Sequence, residues 1–417
     1  MEFKNYKLGD LLLLKTQGVN TATDNVQYES NGIKIVQAKN IEPYKVTFDS
    51  KNFINEKTFA RMKENHILKK GDILFTNIGS QLGNSAIYNY DEKAIITWNV
   101  MKLIPNEKLI LGEYLCYNLN YFKNEIKSLN SSSTMPFVSG KELMNFNFNI
   151  PNVLNQRKTI QILKKINKKI DLNSKINDNL SNLIKEIYKC WFIDFKLSKN
   201  TQLVNTEIGR VPLNWPIISL GEMLKIERGL SYKGKYLADK GVPMINLGNI
   251  MPNGIFRFEK NKYYSGEYKE KVTIKPGEIV IANTDMTQNR EVIGTPVIVP
   301  NTYNDNEIIF SHHIYGIKEL KLPKMFVFYT LLTDRYRGIV KGAATGTTVL
   351  NLPKEIILDY KIALPNSELL ESFEILANNV EKQKEILIKE NLYLEKLRDT
   401  LLPKLMNGEI DLDKIEI

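Results

Sequence analysis

The chain carries one pattern twice, and this limits its fold more than any other feature. Leu8-Gly9-Asp10 is echoed by Leu220-Gly221-Glu222, and residues 32–41, ending Lys39-Asn40-Ile41, by residues 241–250, ending Gly248-Asn249-Ile250. Lys70-Gly71-Asp72-Ile73-Leu74 returns as Pro276-Gly277-Glu278-Ile279-Val280, Ser131-Ser132-Ser133-Thr134 as Ala344-Thr345-Gly346-Thr347-Thr348, and Ile150-Pro151 as Leu364-Pro365. Matched segments lie about 210 residues apart, reaching 214 in the later pairs, whereas solenoid repeats have periods of roughly 20–50 residues. The expectation is a duplicated domain with pseudo-two-fold internal symmetry, its small drifts in offset marking loop insertions.

Each copy has two parts. The first is strand-like, with short β-branched runs at 33–36, 72–76 and 94–97 bounded by Gly, Asn or Pro. Their expected counterparts are 244–247, 278–282 and 296–299. Helical stretches at 113–129 and 324–340 are interleaved, so each first part reads as an α+β globule. The second part is a long helix. Ile166, Asn173, Leu180 and Ile187 recur every seven residues, with Ile162, Lys169, Ile176 and Leu183 as a companion row. Shifted by 214, the rows return as Val380, Leu387, Leu394 and Leu401, with Leu376, Gln383, Glu390 and Leu397. Matched phase favours the two helices packing on one another, with Asn173 and Lys169 as buried polar residues that fix register at a cost in stability. About 38 helical residues make a rod of roughly 57 Å, long enough to hold two globules apart. The implied boundaries are 1–150 and 215–364 for the globules, 151–195 and 365–406 for the helices, 196–214 for a linker and 407–417 for a tail.

With 417 residues, 43% of them hydrophobic, there is material for two or three domains with real cores. The formal net charge of +10 suits a polyanionic partner, nucleic acid before anionic membrane. Cys116 and Cys190 stand far apart in no metal-like spacing, which fits a reducing cytoplasm and offers no disulfide framework. Met1 leads into Glu2, Lys4 and Lys7 without an apolar stretch, so no signal peptide is expected, and no uncharged apolar run approaches membrane-spanning length.

The helix ends carry a family resemblance. The segment Leu397-Arg398-Asp399-Thr400-Leu401-Leu402-Pro403-Lys404-Leu405-Met406-Asn407-Gly408-Glu409-Ile410 resembles the C-terminal signature of type I restriction-modification specificity subunits. Residues 187–195, Ile187-Tyr188-Lys189-Cys190-Trp191-Phe192-Ile193-Asp194-Phe195, resemble the end of that family's central helix, and Ile208-Gly209-Arg210-Val211-Pro212-Leu213-Asn214-Trp215 the entry to its second recognition domain. Asn155-Gln156-Arg157 resembles the entry to the first conserved helix, whereas the second copy departs from it with Asn366-Ser367-Glu368. The resemblance covers the whole chain in order. It implies two target-recognition domains, each reading one half of a split double-stranded DNA sequence, separated by two antiparallel helices that dock two modification subunits. Those partners bind S-adenosylmethionine and methylate adenine. Two restriction subunits can join, adding ATP- and Mg2+-dependent translocation and cleavage. The chain itself is expected to be non-catalytic and cytoplasmic, with no cofactor or metal of its own.

A search for chemistry agrees with that expectation. There is no Asn-Pro-Pro-Tyr motif and no Gly-x-Gly-x-x-Gly after a strand. Gly229-Leu230-Ser231-Tyr232-Lys233-Gly234-Lys235 has P-loop-like spacing, but Tyr236 stands where a Ser or Thr should meet magnesium and no clear helix follows. Adjacent His312 and His313 point apart on a strand, and His66 stands alone, so a zinc site is not expected. DNA contact calls for Lys and Arg at phosphates and for Arg, Asn, Gln, Ser and Thr at base edges. The candidate residues are Lys69, Lys70, Asn77, Ser80, Gln81, Ser132, Ser133 and Thr134 in the first domain. In the second they are Arg228, Tyr232, Lys233, Lys235, Asn283, Thr284, Gln288, Asn289, Arg290, Thr345 and Thr347. Two other readings stay open: an autonomous DNA-binding nuclease, which would need a clustered carboxylate–lysine site, and a structural homodimer whose heptads pair between chains.

Overall fold

In a computed structural model, the structure describes residues 2–414 except 22, 25, 48–52, 131–134, 199–200, 288 and 302–306. Two compact units divide the chain: residues 1–174 with 388–417, and residues 175–387.

In the first unit a four-stranded antiparallel sheet has the order Leu12–Gln17, Val100–Pro105, Ile73–Thr76, Ser85–Ile87. The second unit repeats it with Lys225–Arg228, Ile314–Lys318, Ile279–Ala282 and Pro296–Ile298. The central strands are continuous apolar runs, ILFT and IVIA, because both faces are covered and every residue is buried. A second small sheet sits beside each of these. Ile33–Val36 pairs parallel with Ala94–Ile96, and Val242–Ile245 pairs parallel with Ile308–Phe310. The sequence match of 94–97 to 296–299 is therefore corrected. The true partner of Ala94–Ile96 is Ile308–Phe310, at the offset of 214, while Pro296–Ile298 corresponds to Ser85–Ile87.

Matched turns enter the central strands. Gly71 and Gly277 adopt φ of 95° and 83°, and Asp72 and Glu278 each accept from the backbone three residues back, Lys69 N and Lys275 N, at 2.8 Å. Each acid also faces a lysine, Lys102 at 3.4 Å and Lys318 at 4.0 Å. These ammonium groups also donate to matched carbonyls, Ile67 O at 2.8 Å and Thr273 O at 2.6 Å. The expected single helices at 113–129 and 324–340 are each two: Gly112–Tyr121 and Lys123–Ser128, then Lys324–Thr330 and Asp334–Ala343.

The long helices are α1 (Val153–Phe192) and α2 (Ser367–Met406), 40 residues each. Both start the same way. Asn152 Oδ1 accepts from Asn155 N at 3.0 Å, and Asn366 Oδ1 from Leu369 N at 2.9 Å, caps that contribute about 1 kcal/mol each. Gln156 is buried and fastens α1 to the first globule, accepting from Leu111 N and donating to Leu109 O and Pro151 O, all at 2.9 Å. In the first unit the start of α1 packs against the end of α2: Leu163 shares a core with Leu402, Leu405 and Met406. In the second unit the end of α1 meets the start of α2, with Ile184, Tyr188 and Phe192 against Leu370, Phe373, Ala377 and Val380. The helices thus run antiparallel and pair within the chain.

Their seam differs from the expected one by a residue. Ile166, Leu180, Ile187, Leu387, Leu394 and Leu401 are half-buried and Val380 is buried. In the companion row, Ile176 and Leu183 are exposed and Ile184 is buried in their stead. One position on, Leu163, Ile184 and Ala377 are buried and Ile170, Asn177, Lys384, Asn391 and Arg398 are half-buried; Ile162, Leu376 and Leu397 of the expected row are half-buried as well. Polar residues at Asn177, Lys384, Asn391 and Arg398 hide this row from a search for apolar periodicity. Asn173 is fully buried and donates to Glu390 Oε2 at 2.8 Å and Asn391 Oδ1 at 2.9 Å. Lys169 is exposed, not buried, and pairs with Glu390 at 3.3 Å. The tail packs as well: Leu412 is buried, and its carbonyl accepts from Lys158 at 2.6 Å.

Candidate nucleic-acid interface

One constellation recurs at the same place in both globules. The edge strand Leu12–Gln17 is followed by Gly18, where a Cβ would lie 2.1 Å from Thr97 O. The edge strand Lys225–Arg228 is followed by Gly229, where a Cβ would lie 2.3 Å from Ser311 O. Only glycine allows so close a pass between backbones. The same bonds follow in each copy. Trp98 N donates to Val19 O at 2.8 Å and His312 N to Leu230 O at 2.8 Å. Gln17 thus corresponds to Arg228, and Trp98 to His312.

Side chains complete the match. Gln17 Nε2 donates to the Trp98 carbonyl and to Asn77 Oδ1. Arg228 Nε donates to the His312 carbonyl at 3.1 Å, which also accepts from Asn283 Nδ2 at 3.0 Å. Asn77 and Asn283 leave the central strands and are buried, and their carbonyls accept from Val138 N at 3.0 Å and Leu352 N at 2.8 Å. Asn283 Oδ1 and His312 Nδ1 are buried without a partner among the described residues.

An open cleft lies over each constellation. The first, of about 570 Å³, is lined by Lys15, Gln17, Lys63, His66 and Trp98 among others. The second, of about 820 Å³, is lined by Arg228, Ser231, Lys269, Lys271 and His312 among others. Lys63 and Lys269 are also matched, each preceding a short 3-10 turn, Glu64–His66 and Glu270–Val272. Trp98 is 48% exposed. Burial, then the neighbouring Arg228 guanidinium, holds His312 below the usual histidine value; burial, then His312, does the same to His313. Neutral imidazoles offer one donor and one acceptor each. Expected to point apart on a strand, His312 and His313 instead sit in a turn with ring centres 3.8 Å apart, and Tyr232 stands 5.9 Å from His312.

The residues expected at DNA fall into three groups. Tyr232, Asn77, Asn283, Thr284 and Arg228 come together at the constellations, but Asn77, Asn283 and Thr284 are buried and hold its floor; Thr284 Oγ1 lies 3.0 Å from His313 Nδ1. Ser80, Gln81, Lys233, Lys235, Asn289, Thr345 and Thr347 are exposed. Thr345 exchanges backbone bonds with Asn351, and the Lys235 ammonium lies 4.8 Å from the Tyr236 ring centre. Strand Leu237–Ala238, rather than a helix, follows the P-loop-like segment. Lys69 and Lys70 occupy the turn entering Ile73–Thr76, away from Asn77 at its exit, and form exposed pairs with Glu64 and Asp91 at 2.9 Å. Arg290 is turned inward: at φ 55° its guanidinium donates to the Lys341 carbonyl. Ser132, Ser133, Thr134 and Gln288 lie outside the described residues.

Sequence reasoning passed over Gln17, Lys63, Trp98, Lys269 and His312 as DNA candidates. The available signal was the repeat itself, carried through Gly18 and Gly229. Among the described residues no group of three or more His, Cys, Asp or Glu could hold a metal ion, and no helix is long and apolar enough to cross a membrane.

The model of the type I restriction modification DNA specificity domain matches the chain twice, at residues 1–182 and 212–390. The chain is similar to the type I restriction enzyme MjaVIII specificity subunit of Methanocaldococcus jannaschii, with 24% identity covering 88% of this chain and 86% of that one. The MjaIX specificity subunit of the same organism is 26% identical, covering 95% and 91%. Among solved structures, the S subunit of a type I restriction-modification system from M. genitalium has a similar fold, with a TM-score of 0.51 at 15% identity over 97% of this chain and 96% of that one. With both halves of the duplication matched, the chain belongs to the type I restriction-modification DNA specificity family.

Proposed function

We propose that this chain is the DNA-recognition subunit of a type I restriction-modification complex. Each globule reads one half of an asymmetric bipartite target. The observation that carries this is the duplicated basic cleft: the same backbone scaffold appears twice, with different side chains at its tip. Two scaffolds alike in backbone and different in chemistry suit two different half-sites. Curated relatives that match over nearly their whole length are named specificity subunits, which supports the reading.

The chain contributes recognition and assembly, and its partners contribute the chemistry. Two modification subunits bind S-adenosylmethionine, and two restriction subunits can join with ATP and Mg2+. Ile176 and Leu183, exposed at 44% and 53%, offer apolar side chains on α1 for such docking. Binding to DNA weakens as salt rises, because lysines at phosphates release counterions.

The test is co-expression with the neighbouring modification subunit. The two should co-purify, and adenine methylation should require both. Methylation by either chain alone contradicts the division of labour.

A further inference from the structure

Two copies of one scaffold that read different half-sites must match where they hold and differ where they read. Gly18 and Gly229, Asn77 and Asn283, and Lys63 and Lys269 match. Gln17 and Arg228, and Trp98 and His312, occupy equivalent places and differ in chemistry. The matching lysines are exposed at the cleft edge and suit phosphates, which carry no sequence. The differing residues sit at the end of each edge strand, anchored through a carbonyl of the neighbouring loop.

We propose that Arg228 is a specificity-determining residue of the second cleft and selects a guanine in the second half-site. This rests on the recognition function proposed above. Arg228 is exposed, and its Nε is engaged by the His312 carbonyl. No acceptor among the described residues engages Nη1 or Nη2. An anchored, planar fork loses little freedom on binding and matches the O6 and N7 acceptors of guanine. His312 stands beside it as a partly exposed ring whose Nδ1 is buried, so only its outer edge faces the cleft. In the first cleft the equivalent fork is absent. The Gln17 amide is spent on the Trp98 carbonyl and on Asn77, which leaves the exposed Trp98 indole to meet the DNA there.

The experiment uses the complex of the full chain with its modification subunit, selecting from a pool of randomised DNA duplexes. Selected sequences are read out for wild type and for Arg228→Gln, Arg228→Lys and Gln17→Arg. Arg228→Gln should lose guanine preference at one base pair of one half-site by about 5- to 150-fold, equivalent to about 1–3 kcal/mol. Arg228→Lys should lose the same preference while keeping charge, salt dependence and melting temperature. Gln17→Arg should introduce a guanine preference in the other half-site. The proposal is overturned if both Arg228 variants select the wild-type motif, or if they weaken all sequences equally, as a phosphate contact would. If the wild-type complex selects no motif at all, the recognition function fails and this inference with it.

Discussion

Asp285 holds the loop after Thr284 from within. It is buried, and its carboxylate accepts from Thr287 N, Thr287 Oγ1 and Val292 N at 2.7 Å and from Ile293 N at 3.1 Å. Arg290 closes the same loop from the other side through Lys341 O. Asp285→Ala leaves the Val292 and Ile293 amides unsatisfied, at about 1–3 kcal/mol each if they stay buried. A lower melting temperature with relaxed selection in the second half-site alone is expected; unchanged melting would mean the loop is held by other bonds. At this scale the sequence was legible by residue type but not by direction. Asn283 and Arg290 are the right chemistry for bases, yet tertiary bonds turn both to structural use. Gln17 at a strand end and the lone Trp98 carry no spacing signal of their own, so only alignment of the two copies could reveal them.

The long helices were legible in extent because seven-residue periodicity is a local property. Their seam was less so. One row was found, but its companion was partly displaced by one position, since Ile176 outranks Asn177 in any apolar pattern and Leu183 is as apolar as Ile184. The structure separates neighbours sharply: Ile184 is fully buried and Leu183 is exposed. Ile184→Asp should therefore cost several kcal/mol by burying a charge without a partner. Leu183→Asp should leave stability within about 0.5 kcal/mol and, where that face docks a partner, reduce co-purification of the modification subunit. Thermal melts of the two variants decide the register; equal loss in both would return Leu183 to the seam. The strand mismatch at 296–299 has a similar cause. Short apolar β-branched runs look alike, and only the parallel pairing of Ile308–Phe310 with Val242–Ile245 distinguishes the true counterpart.

For the whole molecule, duplication was legible because it is written in order along the chain. The division of each long helix between two compact units was not, since local pattern does not say which globule a helical turn packs against. Antiparallel pairing also changes how a length test must be built. One inserted heptad would slide α1 past α2 and break the Asn173–Glu390–Asn391 network. A heptad after Asn179 together with another after Lys384 preserves register and adds about 10.5 Å, or roughly three base pairs at about 3.4 Å each. The spacer of the target should lengthen accordingly while both half-sites keep their bases; altered half-sites would contradict a spacing role for the helices. The most direct measurement is the methylome of cells expressing this chain with its modification subunit. The account predicts adenine methylation, dependent on this chain, at a non-palindromic bipartite motif whose half-sites lie about one helical turn, roughly 10 base pairs, apart. A contiguous or palindromic methylated motif, or methylation unchanged when this chain is deleted, would contradict it.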